Sequence, residues 1–471
     1  MNAVRAGLPR LLCALAGVSA ALAAQHVLPA SASELWSAPA RLSSCSAPVP
    51  MRVLFPSDGP THATGPGAVV WGDGADCAGG EGTRISALGA ADVPVAAAQA
   101  ASGGLEMPAE AAAASGGTPA VLGLRDALAA DGPRGQVVIA GISKHRDAPQ
   151  LIEGVAGTPL SALGVADDAQ APLALASAYL GDVALAAAQA GGRGGLRARV
   201  ERHYAHSYGS WQTVSPSGAV SAPTLALDYR SDLLAVWQQA GALYARDLPA
   251  SGAAGPIQRL ASAAPTVRVA ALRSDDNRAI VAWSEQRADA TSVYLDQSGA
   301  DVRFGRAQLL ERFENPEGLA TPAASPALVR LRSESVMLAW AGAAGGHWVL
   351  RTAPVDQLGV RSVGTITAPL GDALLAGLAP GPDGGALALW SEPLPGADGL
   401  PDPREQALAA ARGVDDYPGR TSFGPRELLA PPGPIEDPAV ALDPRSGRAL
   451  AVWRAGAGGV YFAIRAGGGA P

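Results

Sequence analysis

The stretch PAVALDPRSGRALAVW, residues 438–453, decides the fold, because a close copy, PTLALDYRSDLLAVW, occupies residues 223–237. Each copy contains a proline, an apolar run, an aspartate-containing turn, a second apolar run and a terminal tryptophan. Two more copies lack the tryptophan and lie around Ile139 and before Ala187. Weaker copies end at four other tryptophans: Trp71, Trp283, Trp340 and Trp390. Eight copies therefore run along the chain, and this self-similarity indicates a repeat architecture.

Each copy continues with two more short segments in a constant order. The first is apolar or aromatic, as in ALYARD (242–247) and VYFAIR (460–465). The second ends in leucine or a similar residue, as in FGRAQLLE (304–311). Short apolar and aromatic segments separated by Gly, Pro, Asp and Ser predict four antiparallel strands per unit. Because alanine is abundant, an α-solenoid is the alternative, but segments this short and bounded by helix breakers disfavour helices.

Four-stranded units of this length predict an all-β fold, a β-propeller, in which radial stacking covers most strand edges. We expect eight blades, or seven if the copy around Ile139 is an insertion. The last copy stops after its third strand, whereas ELWSAPARLSS near the N-terminus reads as a fourth strand without a blade. Residues 34–44 are therefore predicted to complete the blade built from residues 438–465 and to close the ring.

The repeated tryptophans end strands that read as buried. We expect each ring to fill the gap between two neighbouring blades, where its loss would cost about 3 to 5 kcal/mol of unfolding free energy. The alternative is a row of exposed tryptophans that stack on sugars.

The N-terminus has the layout of a secretory signal peptide. Arg5 and Arg10 precede an apolar stretch at residues 11–24, followed by sites with small residues at the cleavage positions. Cleavage after Ala32 is predicted, and an uncut anchor is the alternative. The domains are then residues 1–32 as signal peptide and 33–471 as one propeller domain. A low-complexity insertion lies at about 96–117.

Composition excludes several classes of protein. With 48% hydrophobic and 16% charged residues, the chain is too apolar to stay disordered. Loss of Arg5 and Arg10 with the signal peptide takes the net charge from −7 to −9, which disfavours binding to nucleic acid or an anionic membrane. We expect a secreted, extracellular or cell-envelope protein, a monomer without a membrane span after signal cleavage.

The cysteines support export. Once Cys13 leaves with the signal peptide, Cys45 and Cys77 remain. An even pair in an exported chain predicts a disulfide. Two unpaired thiols are the alternative. The bond would link the closing strand to the first blade.

The repeat resembles that of TolB-type propeller proteins. The closest pieces are LAPGPDGGALALW (378–390) and LDPRSGRALAVW (442–453), the latter followed by VYFAIR. The turns DYRSD (228–232) and LRSDDN (272–277) depart from the family pattern. What the resemblance implies is a turn and a mode of packing, and it brings no catalytic residue with it. Sialidase-like propellers are the nearest enzymatic comparison, but the spacing of Asp443 and Trp453 differs from theirs.

Motifs for common enzyme chemistry are absent from the sequence: it has no GxSxG, HExxH, CxxC pair, P-loop or complete EF-hand loop. Three weaker patterns have solvated loops or turns as their alternative. They are a zinc pair, His203 and His206; a calcium loop with Asp73, Asp76 and Glu81; and a carboxylate pair, Asp415 and Asp416. No catalytic, cofactor-binding or metal-ligating residue and no cofactor is predicted.

Loops after the second strands and loops between blades emerge on one side of a propeller, which we call the loop face. Binding sites favour such variable loops on a rigid frame. We expect any ligand to dock there, over the axial channel, near charged residues that fall in three loops: Lys144, His145, Arg146 and Asp147; Glu285, Arg287 and Asp289; and Glu392, Asp398 and Arg404.

The predicted function is a non-catalytic binding or interaction module for a protein or a cell-surface polymer. Two alternatives stay open. One is a glycan-active enzyme, a sialidase-like hydrolase or a lyase, with carboxylates and arginines in the central channel. The other is a purely structural envelope component.

Overall fold

The structure is a computed structural model. It describes residues 35–467 except 48–50, 56–66, 75–76, 78–81, 90–93, 95–119, 123, 133–134, 144–146, 155, 157–159, 165–168, 179, 190–193, 203, 205–206, 263–265, 275, 316–325, 332–334, 361, 367–371, 382–383, 396–400, 417–419, 430–432 and 456–458. The predicted signal peptide and low-complexity insertion lie outside the described residues. In the described part, no helix is long and apolar enough to cross a membrane.

The described strands form eight antiparallel sheets, the blades of a propeller. The first strand, β1 (Ala40–Ser43), belongs to the last blade. Blade 1 contains β2 (Arg52–Leu54), β3 (Ala68–Asp73), β4 (Gly82–Ala87) and β5 (Ala120–Leu122). Blade 2 contains β6 (Leu124–Asp131), β7 (Val137–Ser143), β8 (Pro149–Gly154) and β9 (Ser161–Gly164). Blade 3 contains β10 (Ala169–Ser177), β11 (Val183–Gln189), β12 (Leu196–Glu201) and β13 (Gln212–Thr213).

The next blades repeat this order from the axis outward. Blade 4 contains β14 (Val220–Leu227), β15 (Leu233–Gln239), β16 (Ala242–Leu248) and β17 (Gln258–Ala261). Blade 5 contains β18 (Thr266–Arg273), β19 (Ala279–Gln286), β20 (Ala290–Gln297) and β21 (Gln308–Glu314). Blade 6 contains β22 (Ala327–Arg330), β23 (Val336–Ala344), β24 (His347–Asp356) and an outer strand split into β25 (Gly359–Val360) and β26 (Gly364–Ile366).

The last two blades finish the ring. Blade 7 contains β27 (Leu374–Pro380), β28 (Ala386–Pro395), β29 (Pro401–Asp416) and a split outer strand, β30 (Arg420–Phe423) and β31 (Glu427–Leu428). Blade 8 contains β32 (Ile435–Leu442), β33 (Ala449–Ala455), β34 (Gly459–Arg465) and β1. The prediction of an eight-bladed all-β propeller is confirmed, and the copy around Ile139 is a full blade.

The N-terminal strand closes the ring as predicted. β1 pairs antiparallel with β34, with Arg41 opposite Tyr461, and an isolated bridge pairs Trp36 with Arg465. The predicted disulfide between Cys45 and Cys77 is present, with the two Cα atoms 5.6 Å apart. The bond ties the segment after β1 to the segment after β3 in blade 1.

The repeated tryptophans lie between blades, as expected. All six occupy equivalent places near the ends of second strands and are only 0–2% exposed: Trp71, Trp237, Trp283, Trp340, Trp390 and Trp453. Each packs among side chains of the preceding blade. The alternative of an exposed, sugar-stacking row is therefore wrong for these residues, because their rings are covered by the neighbouring sheets.

Candidate functional site

A cavity of about 400 Å³ lies at the axis, where the inner strands of blades 3 to 7 end. We call this side of the ring, formed by the turns between first and second strands, the turn face. The cavity wall is largely apolar, with Leu227, Leu272 and Val329 among its lining residues. Tyr229 and Arg330 add polar groups to the same lining.

The turn that carries Tyr229 is built by its first residue. The Asp228 carboxylate accepts hydrogen bonds from the backbone N–H groups of Arg230 (2.9 Å) and Asp232 (3.0 Å), a pattern typical of an Asx turn. Tyr229 is 36% exposed. The Arg230 guanidinium lies 4.9 Å from the centre of its ring, and Nε of Arg230 donates a 2.8 Å hydrogen bond to its hydroxyl. An aromatic ring and a cation therefore stand together beside the cavity.

A buried cluster of charged side chains packs against this turn. The Arg273 side chain is 1% exposed and has three aspartates around it: Asp228 at 3.6 Å, Asp232 at 3.5 Å and Asp247 at 2.7 Å. Burial raises the pKa of Asp228 and the pKa of Asp247, and the nearby Arg273 charge partly offsets that effect. Asp228, the one carboxylate in the described cavity lining, is thus bound to the wall by its own turn and by Arg273.

The inner strands contribute backbone groups to the channel. Each of β10, β14, β18, β22 and β27 is the first strand of its sheet and pairs on one side only. The other edge of such a strand carries N–H and C=O groups that no strand of its sheet bonds. The cavity wall therefore combines apolar side chains with backbone donors and acceptors.

A second group of ionisable residues lies between blades 2 and 3, away from the axis. Burial, with a contribution from the charge of Glu153, raises the pKa of Glu201 to about 7. Burial also raises the pKa of Glu153 and, together with the charge of Glu201, that of Tyr208. The hydrogen bond with Glu201 acts in the opposite direction on the pKa of Glu153 and lowers it. Paired carboxyl groups with shifted pKa values are a frequent feature of functional sites and also occur in structural networks.

This cluster occurs where blade 3 departs from the repeat. Ala187 stands in the place of the tryptophan, and Arg197 is its partner on the next strand, where blade 4 pairs Trp237 with Tyr244. Two residues of the following loop, Tyr208 and Trp211, supply the missing aromatic volume between blades 2 and 3. The sequence offered a signal for this site, the loss of tryptophan from the copy ending at Ala187, but the compensating residues are distant in the repeat.

The structure describes five of the predicted loop-face residues, and they have different surroundings. Asp147, Arg287 and Asp289 are exposed, and Glu285 accepts a 3.2 Å hydrogen bond from the ring N–H of Trp283. Glu392 is buried instead of facing solvent, because it accepts hydrogen bonds from Trp390 (2.8 Å) and from Arg426. The others are beyond the described residues or side chains: Lys144, His145, Arg146, Asp398 and Arg404.

The structure describes only some residues of the weaker metal and carboxylate patterns. Asp73 is buried and forms an ion pair with Arg84. Asp415 and Asp416 belong to β29, opposite Thr421 and Arg420, so the expectation of a turn at that pair was wrong. Among the described residues, no three His, Cys, Asp or Glu side chains are grouped as a metal site would require. The remaining candidates lie outside those residues: His203, His206, Asp76 and Glu81.

Comparison with known proteins gives structural likenesses only. No family model and no curated protein sequence matches the chain. Among solved structures, it is similar to an ulvan lyase, a polysaccharide lyase, at 10% identity and a TM-score of 0.41, over 72% of this chain and 93% of the lyase. A fungal alcohol oxidase shares 11% identity at a TM-score of 0.39, over 91% and 99% of the two chains. The six-bladed lectin of Aleuria aurantia shares 14% identity at 0.33, over 64% and 94%.

Proposed function

We propose that this protein is an exported, non-catalytic binding module that holds a partner protein or a cell-surface polymer at the turn-face mouth of its axial channel. The axial cavity, with Tyr229 and Arg230 beside it, is the observation that carries the proposal. Such a site combines an apolar wall with a few placed polar groups, which is the usual composition of a binding cavity. The cavity is on the opposite side of the ring from the loop face that the sequence favoured.

The contacts of Asp228 favour binding over catalysis at this place. General acid–base or lyase chemistry needs a group that can exchange a proton with the substrate. Oδ1 of Asp228 accepts both backbone hydrogen bonds, and Oδ2 is buried without a hydrogen bond, 3.6 Å from Nε of Arg273. The carboxylate is therefore covered by the wall and paired with a fixed cation, away from a ligand in the cavity. The glycan-active alternative therefore has less support from the described lining of this cavity.

The proposal also includes secretion of the protein and a TolB-type repeat. The layout of residues 1–32 and the Cys45–Cys77 disulfide support secretion, because disulfides persist in oxidising compartments. The TolB-type resemblance rests on the sequence of turns such as that of blade 8, where the Asp443 carboxylate accepts hydrogen bonds from the backbone N–H groups of Arg445 and Ser446.

A selection experiment tests the proposed site. The mature chain would be screened against a peptide library on phage and against an array of bacterial cell-surface polymers. Ligands so obtained are then titrated against two variants, Tyr229→Ala at the cavity and Arg287→Glu on the loop face. We expect Tyr229→Ala to weaken binding about tenfold, since a well-packed aromatic contact contributes 1 to 2 kcal/mol, and Arg287→Glu to leave it unchanged.

The opposite pattern would overturn the proposed site: ligands that Arg287→Glu releases and Tyr229→Ala does not. Cleavage of any arrayed glycan by the wild-type chain, abolished in a variant that fills the channel, such as Ala271→Trp, would overturn the non-catalytic assignment. Circular dichroism of each variant verifies that the propeller is folded.

A further inference from the structure

A second cavity lies between blades 3 and 4, away from the axis, beside the third and fourth strands of blade 3. Its volume is about 360 Å³. Polar residues of the loop after β12 form one side, and Leu233, Leu248 and Pro249 of blade 4 form the other. We call this cavity the rim site. Its polar lining residues include Arg202, Ser207, Ser210 and Gln212.

Arg202 is held in place at this rim site. One terminal nitrogen of its guanidinium donates a 2.8 Å hydrogen bond to the hydroxyl of Tyr204, and the other donates to the backbone carbonyl of Ala250. A guanidinium has five N–H donors, so these two bonds fix its plane and leave further donors for a ligand. The Tyr204 ring, 5.9 Å from the guanidinium carbon and 62% exposed, stands beside it.

Other arginine–aromatic pairs of blade 3 lie on the opposite face of its sheet. The Arg199 guanidinium lies 4.5 Å from the centre of the Tyr208 ring and 4.8 Å from that of Trp211, and Arg197 lies 5.5 Å from Trp211. Tyr208 and Trp211 pack between blades 2 and 3, whereas Ala198 and Val200 of the same strand pack toward blade 4. Arg202 is therefore the cation whose terminal nitrogens reach the rim site, on a chain whose net charge is −7.

Two buried glutamates of blades 2 and 3 face away from the rim site. Glu201 interacts with Glu153, Tyr208 and Arg199, which lie on the side of the sheet that packs on blade 2. Side chains alternate between the two faces of a strand, and Arg202, the next residue, bonds the backbone carbonyl of Ala250 in blade 4.

The chemistry of these groups selects one class of ligand. A planar guanidinium binds a carboxylate or a sulfate through two parallel hydrogen bonds. Hydroxyl and amide side chains such as Ser207, Ser210 and Gln212 match the hydroxyls of a sugar, and an exposed tyrosine offers a flat apolar face. We propose that the rim site binds an anionic glycan, a sugar polymer with carboxylate or sulfate groups. This is a site separate from the axial cavity, and it does not depend on the function proposed there.

Binding of defined polymers to the mature chain tests the rim site. Polygalacturonate carries carboxylates, dextran sulfate carries sulfates, and dextran is the neutral control. We expect one of the charged polymers to bind, to bind more weakly as sodium chloride rises, and to outcompete dextran. Which of the two binds better identifies the source of the anion.

Variants locate the binding. Arg202→Gln and Tyr204→Ala are expected to weaken affinity for the charged polymer about tenfold each, and Ser210→Trp, which places a bulky ring in the cavity, should do the same without removing a charge. Arg303→Gln is the matched control, because Arg303 is an exposed arginine of blade 5 that pairs with Asp301. Arg287→Glu on the loop face is a second control and should leave polymer binding intact.

Three results would overturn the rim site. The first is failure of both charged polymers to bind the folded wild-type chain. The second is equal binding of dextran and the charged polymers. The third is a loss of affinity in Arg303→Gln as large as that in Arg202→Gln, which would indicate non-specific charge attraction.

Discussion

Arg465 and Glu427 form a bidentate ion pair across the junction of blades 7 and 8. Nε and Nη2 of Arg465 each donate a 2.8 Å hydrogen bond to a different oxygen of the Glu427 carboxylate. The same carboxylate accepts a 2.7 Å hydrogen bond from the ring N–H of Trp36. All three side chains are buried. One acid of blade 7 thus holds both the third strand of blade 8 and the N-terminal segment that completes it.

Replacement of Glu427 should destabilise the ring strongly. Glu427→Ala leaves the buried Arg465 charge and the Trp36 N–H without their acceptor, and we expect a loss of about 3 to 5 kcal/mol in the free energy of unfolding. Glu436→Ala is the control, since Glu436 pairs with Arg454 but its side chain is 52% exposed, and it should cost less than about 1 kcal/mol. Urea denaturation measures both, and similar losses in the two variants would contradict this interpretation.

Removal of the closing strand should open the ring. A chain that begins after residue 44 lacks β1 and Trp36, so the outer edge of β34 loses its pairing partner and becomes available to another chain. We expect dimers or larger assemblies by size-exclusion chromatography and a lower melting temperature. A chain that begins at residue 33 serves as control. Monomeric, equally stable behaviour of the shorter chain would mean that closure does not depend on β1.

The disulfide should stabilise the first blade and the closure together. Cys45 and Cys77 enclose a loop with a sequence separation of 32, for which the chain-entropy model gives a stabilisation of about 3 to 4 kcal/mol. The double variant Cys45→Ser with Cys77→Ser should therefore unfold at lower denaturant concentration, and reduction of the wild-type protein should reproduce the effect. No change in the midpoint on reduction would contradict the prediction.

Arg273 should be the most sensitive residue of the turn face. Arg273→Leu keeps much of the side-chain volume but leaves three aspartates together without their cation, and we expect a loss of about 3 to 5 kcal/mol at pH 7. Part of that loss should be recovered at pH 4, because protonation relieves the repulsion among the carboxylates. Arg278→Leu is a control, since its ion pair with Asp276 is nearer the surface. An Arg273→Leu defect that is independent of pH would indicate a packing role only.

Glu201 should make stability fall as pH rises. Its pKa is about 7 in the folded protein against an ordinary 4.5, so between these values the folded state binds more protons than the unfolded state, and the free energy of unfolding decreases with increasing pH. Glu153, Tyr208 and Arg199 are the groups that share its surroundings. Glu201→Gln cannot ionise and should reduce this decline between pH 4.5 and 7.

Denaturation at pH 4.5, 6 and 7.5 measures the effect as a difference between Glu201→Gln and wild type. The comparison matters because burial also raises the pKa of Asp131 to about 7, and that group contributes the same slope to both proteins. Parallel curves for the two proteins would show that Glu201 ionises normally in the folded state.

The sequence determined the architecture of this protein because each repeat specifies its own blade. Local patterns such as PTLALDYRSDLLAVW contain the strands, the turn and the tryptophan that packs on the preceding blade, and the missing fourth strand at residue 465 pointed to residues 34–44. The Cys45–Cys77 pairing followed because only these two cysteines remain once the predicted signal peptide is removed. These inferences succeeded because they rest on contacts within one repeat or between adjacent repeats, which the period of the sequence preserves.

The tertiary structure decided what the repeat does not encode. The axial cavity, the aspartates around Arg273 and the rim site combine residues from several blades, and their grouping depends on how the blades are arranged around the ring. Glu427 illustrates the limit: its partners Arg465 and Trp36 belong to blade 8 and lie 38 and 391 residues away in the chain. A side chain's partner across a blade junction is set by packing geometry in three dimensions, and one-dimensional spacing carries little information about it.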